Sequence, residues 1–393
     1  MDKKIYLKKG KEESLKRFHP WVFSGAIQHQ PEDVDEGEVV RVMTAGGDFI
    51  AVGHYQIGSI AVRVLSFDDV AIDDAFWYAK LQSAFLMRRS IGIVDNPANN
   101  TYRLVHGEGD NVPGLIIDVY GPTAVMQAHS VGIHLERKRI AEQLVKVMGD
   151  RVKNVYYKSE TTLPYKAGLG QEDGFIVGGS KDNVALENGL KFHVDWLKGQ
   201  KTGFFVDQRE NRSLLEKYAK GKNVLNMFCY TGGFSFYAMR GGANLVHSVD
   251  SSAKAIDLTN ANVELNFPGD ERHQAYCEDA FKFLDNAEDF YDLIVLDPPA
   301  FAKHRAALHN ALKGYTRLNV KAFERIKHGG ILFTFSCSQV VTKDNFRNAV
   351  FTAAAISGRN MRILHQLHQP ADHPINIYHP EGEYLKGLVL YVE

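Results

Sequence analysis

Two side chains able to do chemistry stand at the ends of apolar runs in the last third of this 393-residue chain. The stretch GGILFTFSCSQ runs Ile331 to Phe335 straight into Ser336-Cys337-Ser338. Upstream, YDLIVLDPPAF has the same shape, with Leu293 to Leu296 leading into Asp297 and two prolines. Runs of this kind read as buried strands, and two of them imply a parallel sheet whose carboxyl edge holds a site. The prolines fix Asp297 in a rigid turn, and a rigid acid can hydrogen-bond the edge of a planar base swung out of its stack. A thiol beside that base suggests a particular reaction. Carbon 5 of a pyrimidine attacks a methyl sulfonium poorly until a thiolate adds to carbon 6 and turns carbon 5 into an enamine carbon. Taken alone, a cysteine at a strand end is more often a small buried hydrophobe, and Cys229 and Cys277 keep that reading.

A methyl donor is implied by three features that follow one another in the chain. The first is the turn Asn226-Met227-Phe228-Cys229-Tyr230-Thr231-Gly232-Gly233, where glycines let a ligand approach the backbone between strand and helix. It is not GxGxxG, which weakens a nicotinamide or flavin reading. Asp250, eighteen residues after Gly232, ends the next strand, where an acid can hydrogen-bond a ribose diol, and Ser251 follows it. The strand after that ends in Glu278-Asp279-Ala280. Together these suit a nucleoside cofactor without a pyrophosphate, S-adenosyl-L-methionine. Asn226, Phe228, Tyr230, Thr231, Gly232, Asp250, Ser251, Asp279, Ala280 and Asp297 are the candidate cofactor contacts. Surface acids on an ordinary doubly wound domain are the bland alternative, and the coincidence of all three in order argues against it.

These residues need a sheet to position them. From about Leu186 strands alternate with helices: Asn223 to Phe228, Leu245 to Val249, Gln274 to Cys277, Leu293 to Leu296 and Gly330 to Phe335. That is a doubly wound α/β domain. Ahead of it, Leu190 to Val194 and Thr202 to Val206 are expected to pair as a hairpin. Asp207 with Glu210 has the spacing of a helix N-cap and its reciprocal acid, opening a helix towards Tyr218. Residues 1–72 read as a small β-rich unit, with runs Val39 to Val42, Phe49 to Val52 and Ile60 to Leu65 separated by glycine turns. Residues 73–185 read as an α+β unit with helices over Ala75 to Ile91 and His134 to Met148. Residues 186–393 form the α/β domain.

Composition is that of a globular protein, 45% hydrophobic and 24% charged, with no apolar run long enough to cross a bilayer. The first residues lack the apolar core of a secretory signal, and three cysteines without CxxC spacing suit neither a disulfide framework nor a zinc site. A cytoplasmic location is expected. Net charge is −1, so a protein that coats nucleic acid is disfavoured, but Met1 to Trp21 carries seven Lys/Arg against three acids. That segment is either a solvated edge or a local nucleic-acid patch. His365, His368, His373 and His379 are too irregularly spaced to suggest a metal, and no GxSxG elbow supports a hydrolase.

Assembled, the motifs resemble those of the RlmI-type ribosomal RNA large-subunit cytosine-C5 methyltransferases over essentially the whole chain. The resemblance rests on HPWVFSG (His19 to Gly25), RLVHGEGDNVPGLIIDVY (Arg103 to Tyr120) and GQKTGFFVDQRENR (Gly199 to Arg212). The Asn226 turn, DPPAF, FSCS and PEGEYLKG (Pro380 to Gly387) complete it. It implies an RNA-binding PUA domain, a linking α+β domain and a Rossmann-like class I methyltransferase domain. It also implies that Lys8, Lys9, Lys16, Arg17 and Trp21 touch RNA and that Asp250 binds the donor's ribose. Asp279 and Ala280 would lie by its adenine, and Gln208 and Arg209 would line the donor or base pocket. Asp297 would hold the cytosine and Cys337 would be the nucleophile. The partner implied is large-subunit ribosomal RNA, with a homodimer allowed and no membrane. Two departures stand out: Ala300 and Phe301 replace the second cysteine that many RNA 5-methylcytosine enzymes carry, and Gln339 follows SCS where glycine is common. The rival expectations are methylation of a guanine in the same RNA without an adduct, and a non-catalytic RNA-binding or ribosome-assembly factor.

Overall fold

A computed structural model describes residues 3–164, 169, 173–287 and 290–393. The chain divides into two compact units: Met1–Gly189 with Val194–Val206 and Ala371–Gly382, and Leu190–His193 with Asp207–Pro370 and Glu383–Glu393.

The first unit contains two sheets. In the N-terminal one the strand order is Trp21–Phe23, Ile60–Ser66, Phe49–Tyr55, Val39–Met43, Lys3–Leu7, Ile27–His29. All neighbours are antiparallel except Lys3–Leu7 with Val39–Met43. Ile5, Leu7, Val22, Val40, Val42, Val62 and Val64 fill its core. Gly53 is required where the strands meet, since a Cβ there would lie 2.1 Å from the Arg63 carbonyl oxygen. The second sheet has five strands, between Thr101–His106 and Gly174–Val177 at its edges, and is accompanied by the helices Asp74–Ser90 and Val131–Met148. Asp73 and Ser130 cap those helices, each accepting a backbone N–H with its side chain.

The second unit is built on a seven-stranded sheet: β1 Asn223–Met227, β2 Leu245–Asp250, β3 His273–Cys277, β4 Tyr291–Leu296, β5 Ile326–Ser336, β6 Met361–His368 and β7 Lys386–Val392. Its order is β3-β2-β1-β4-β5-β7-β6, with β7 antiparallel to both neighbours and the pairs from β3 to β5 parallel. The helices that alternate with the strands are α1 Arg209–Tyr218, α2 Gly233–Arg240, α3 Ala253–Asn266, α4 Ala280–Asn286, α5 Leu308–Arg325 and α6 Lys343–Ser357. This is the expected Rossmann-like methyltransferase fold. The order reverses between β1 and β4, so a crevice opens there at the carboxyl ends of the strands. Unbroken burial over Leu293 to Leu296 of β4 and Gly330 to Ser336 of β5 reflects a sheet covered on both faces.

Two local expectations fail. Leu190–His193 is a strand, but Thr202 to Val206 is not, so no hairpin forms there. Thr202 is held instead by its hydroxyl, which donates to Asp118 at 2.6 Å and lies 2.8 Å from the Tyr120 hydroxyl. Gly203 follows at φ +117°, where a Cβ would lie 2.8 Å from the Trp196 backbone nitrogen and 2.9 Å from the Asp195 carbonyl carbon, and that φ bends the segment away from extended geometry. Asp207 is not a helix N-cap either. The chain enters α1 through a 3₁₀ turn, Val206–Gln208, so Gln208 takes the cap position without a side-chain cap bond. Strands β6 and β7 were not anticipated.

Candidate active site

Parallel pairing of β4 with β5 sets Leu296 opposite Thr334, so Asp297 and the Ser336-Cys337-Ser338 loop emerge side by side. Cys337 is half-buried, its Sγ 4.0 Å from the Pro298 carbonyl oxygen. Its flanking serines converge on one phenol. Ser336 donates to the Tyr315 hydroxyl at 2.9 Å, and the Ser338 and Tyr315 hydroxyls lie 3.1 Å apart. Ser338 Oγ also accepts from the Ala302 N–H at 3.3 Å. From β7, Lys386 Nζ donates to the carbonyls of Ser338 at 2.6 Å and Val341 at 2.5 Å. Phe301 lies against Tyr315, ring centroids 4.6 Å apart. The thiol therefore sits on a loop pinned from a helix on one side and a strand on the other.

Charges around this loop are out of the ordinary. Burial pushes the Cys337 thiol up to about 12, and the carboxylates of Asp297 and Asp207 push it the same way, while Lys386 opposes them. Burial raises the Asp297 carboxyl to about 7, Asp207 adds to the rise, and Gln208 and Arg212 oppose it. Burial also brings the Lys386 ammonium down to about 8. Near neutral pH the thiol rests protonated and Asp297 is poised between its two forms.

Gln208 explains how Asp297 is aimed. Its amide donates to Asp297 Oδ1 at 3.1 Å and accepts from Asn211 Nδ2 at 2.6 Å. The preceding residue, Asp207, accepts the Tyr384 hydroxyl at 2.6 Å on Oδ2. Its Oδ1 is buried without a hydrogen-bond partner. Arg209 and Arg212 are buried in α1.

At the other end of the crevice, the turn after β1 takes positive φ at Phe228 (58°), Tyr230 (47°) and Gly232 (84°). Two aromatic residues in that region mark stored strain, which is found where a ligand is clamped. A Cβ at Gly232 would meet Phe236 at 2.5 Å and Thr259 at 2.8 Å, so this position requires glycine. Thr259 and Asn262 of α3 pin the turn by donating to the carbonyls of Tyr230 at 2.9 Å and Thr231 at 3.2 Å. Asp250 accepts the Tyr230 N–H at 3.0 Å on one oxygen and the Ser252 N–H at 2.9 Å on the other. Each oxygen keeps a lone pair, so the half-exposed carboxylate is oriented and can still accept ribose hydroxyls. These residues fit a nucleoside donor.

The remaining candidates fall in different settings. Asn226 is buried and donates to Ser235 at 3.0 Å, starting a polar chain through Ser248 to His273. Asp279 is exposed and caps α4 by accepting the Lys282 N–H at 3.0 Å, with Ala280 buried behind it. Ser251 is exposed. In the first unit Lys8, Lys9, Lys16 and Arg17 are exposed, but Lys16 pairs with Glu13 at 2.9 Å and Glu12 at 3.8 Å. Trp21 is half-buried, and its indole N–H donates to Glu108 at 2.9 Å.

Among the described residues, His19, His379 and Glu381 could bring three ligand atoms together for a metal ion. His19 Nδ1 accepts the Trp21 N–H at 3.2 Å, which leaves the proton on Nε2, facing Glu381 at 3.8 Å. In that tautomer Nε2 is a donor rather than a ligand.

Sequence reasoning passed over Tyr315, Tyr384 and Lys386, and assigned Asp207 to a cap. A clue was available for Lys386, a lone cation at the head of the apolar run LKGLVLYV. Tyr315 and Tyr384 offered none, because their partners are set by tertiary folding.

Both ends of the chain are similar to known families. Residues 5–67 match a PUA-like domain, and residues 177–378 match the S-adenosylmethionine-dependent methyltransferase family. A protein of Aeromonas hydrophila named ribosomal RNA large subunit methyltransferase I is 40% identical, covering 99% of each chain. One of the same name from Vibrio vulnificus is 38% identical over the full length of both. Among solved structures, one described as a SAM-dependent methyltransferase from Streptococcus mutans superposes with a TM-score of 0.84 at 23% identity over both whole chains. Another, a methyltransferase complexed with S-adenosylhomocysteine, superposes at 0.85 and 23% over the same extent.

Proposed function

The chain belongs to the S-adenosylmethionine-dependent methyltransferase family, alongside proteins named ribosomal RNA large subunit methyltransferase I; from that premise we propose that it methylates carbon 5 of a cytosine in large-subunit ribosomal RNA through a covalent adduct at Cys337. The observation that carries the proposal is the pinned thiol beside Asp297 at the carboxyl edge of β4 and β5. Methylating a guanine nitrogen needs no thiol, whereas carbon 5 of cytosine needs one.

In this reading residues 1–72 bind RNA, 73–185 link, and 186–393 transfer the methyl group. Lys8, Lys9, Lys16, Arg17 and Trp21 belong to the RNA-facing side. Asp250 and Ser251 take the donor's ribose, Asp279 and Ala280 its adenine, and the Phe228 to Gly232 turn the amino-acid end. Bound S-adenosylmethionine supplies a methyl group on a sulfonium. Asp297, aimed by Gln208, holds the flipped base. Cys337 adds to carbon 6 as its thiol proton passes to nitrogen 3 of the cytosine, carbon 5 takes the methyl group, and loss of the carbon 5 proton expels the thiolate, which recovers the proton from nitrogen 3. A free thiol suits a reducing cytoplasm.

Substituting Cys337→Ala tests this. Methyl transfer to ribosomal RNA should fall about 10³-fold or more, the scale of losing a nucleophile, and wild-type protein should form a denaturation-resistant complex with RNA containing 5-fluorocytosine. Full transfer by the variant would sink the covalent route.

A further inference from the structure

One proton in this reaction has no acceptor yet. After methylation, carbon 5 carries both the methyl group and its original hydrogen, and the product forms only when that hydrogen leaves. The positions after the prolines, Ala300 and Phe301, cannot accept it. Around the thiol, the Tyr315 hydroxyl is engaged with two serines and the Lys386 ammonium with two carbonyls. Asp297 is bonded to Gln208 and has the base to hold.

Asp207 differs from all of these. Tyr384 occupies Oδ2 at 2.6 Å, while Oδ1 is buried with no hydrogen-bond partner. A buried carboxylate oxygen left unpaired is costly, and it persists where a function uses it. Its place in the chain ties it to both reacting groups. Gln208, the next residue, bonds Asp297 at 3.1 Å. Tyr384 lies two residues before Lys386, which pairs opposite Ser336 and grips the carbonyl that follows Cys337.

We propose that Asp207 is the general base that removes the carbon 5 proton from the methylated cytosine adduct, an inference that rests on the covalent route above. The C5–H bond breaks, its proton goes to Asp207 Oδ1, and its electron pair re-forms the C5–C6 double bond. The C6–S bond breaks with its electrons returning to Cys337 as thiolate. Tyr384 is a positioning residue, which holds Oδ2 and leaves Oδ1 to the substrate. The carboxylate's field reaches both Asp297 and the Cys337 thiol, consistent with its standing close to each.

The test is Asp207→Asn, which keeps shape and the bond from Tyr384 but not basicity. It is run on large-subunit ribosomal RNA carrying tritium at cytosine carbon 5, with methyl-labelled S-adenosylmethionine. The expected result is at most one methyl group transferred per enzyme and retained on a denaturation-resistant protein–RNA adduct. Tritium release should fall about 10²- to 10⁴-fold, the usual contribution of a general base. Wild-type tritium release and free methylated RNA would overturn the proposal. So would loss of methyl transfer with S-adenosylhomocysteine binding intact, since that puts Asp207 before the proton step. Asp207→Ser is read the same way if the asparagine variant does not fold. A wild-type protein that forms no adduct with 5-fluorocytosine RNA fails the covalent route itself, a result neither variant can imitate.

Discussion

Asp297 shows how one residue ties stability to chemistry. An unfolded aspartate titrates near 3.8, and burial moves the folded group to about 7. Between those values the folded state binds more protons than the unfolded one. The stability tied to the neutral carboxyl is therefore complete below pH 3.8, drains away as pH rises through 7, and changes no further above that. Asp297→Asn removes the titration. Its stability relative to wild type, measured by urea unfolding, should grow by a few kcal/mol between pH 4 and 7 and then level off, while methyl transfer falls by at least about 10²-fold. Asp297 and Cys337 were legible from sequence because each ends an unbroken apolar run, where a strand must stop and a site can begin. The roles of Asp207 and Lys386 were not, although Lys386 stood out as a lone cation before an apolar run, since their partners lie 177 and 48 positions away, and only the folded sheet brings them together.

At the level of elements, β4 and β5 were readable because each holds an unbroken apolar run, Leu293 to Leu296 and Ile331 to Phe333, with a helical pattern between them. The segment 202–206 misled for the converse reason. Its apolar residues look strand-like, but hydroxyl bonds from Thr202 and the positive φ of Gly203 override that preference. The unanticipated β7 carries the most consequence, because its first residue anchors the loop that carries Cys337. Lys386→Met should leave the carbonyls of Ser338 and Val341 unpaired, at about 1–3 kcal/mol each. Chemical denaturation should register that loss. Methyl transfer should drop along with it, while binding of S-adenosylhomocysteine, proposed to lie against the turn after β1, should hold within a few-fold by calorimetry.

Over the whole molecule, charge is nearly balanced, so attraction to RNA has to come from a local surface. The basic N-terminal segment was visible in the sequence, but which of its cations are available was not. Lys16 is neutralised by its own helix, and Lys3 by Glu38 at 2.7 Å, whereas Lys9 and Arg17 are exposed. If this side meets phosphates, replacing Lys9 and Arg17 with Gln should flatten the salt dependence of RNA binding by about 0.7 for each phosphate no longer neutralised. Lys16→Gln should change it less, and identical slopes for all three would return the segment to a solvated edge. The sheet order also bears on how the protein is made. β7 is translated after the other six strands, yet it lies between β5 and β6. Until a ribosome has passed residue 386, the loop carrying Cys337 has no ammonium to grip it and β5 presents an open edge. A chain stopped short of β7 is thus a candidate for aggregation and proteolysis rather than a slower enzyme.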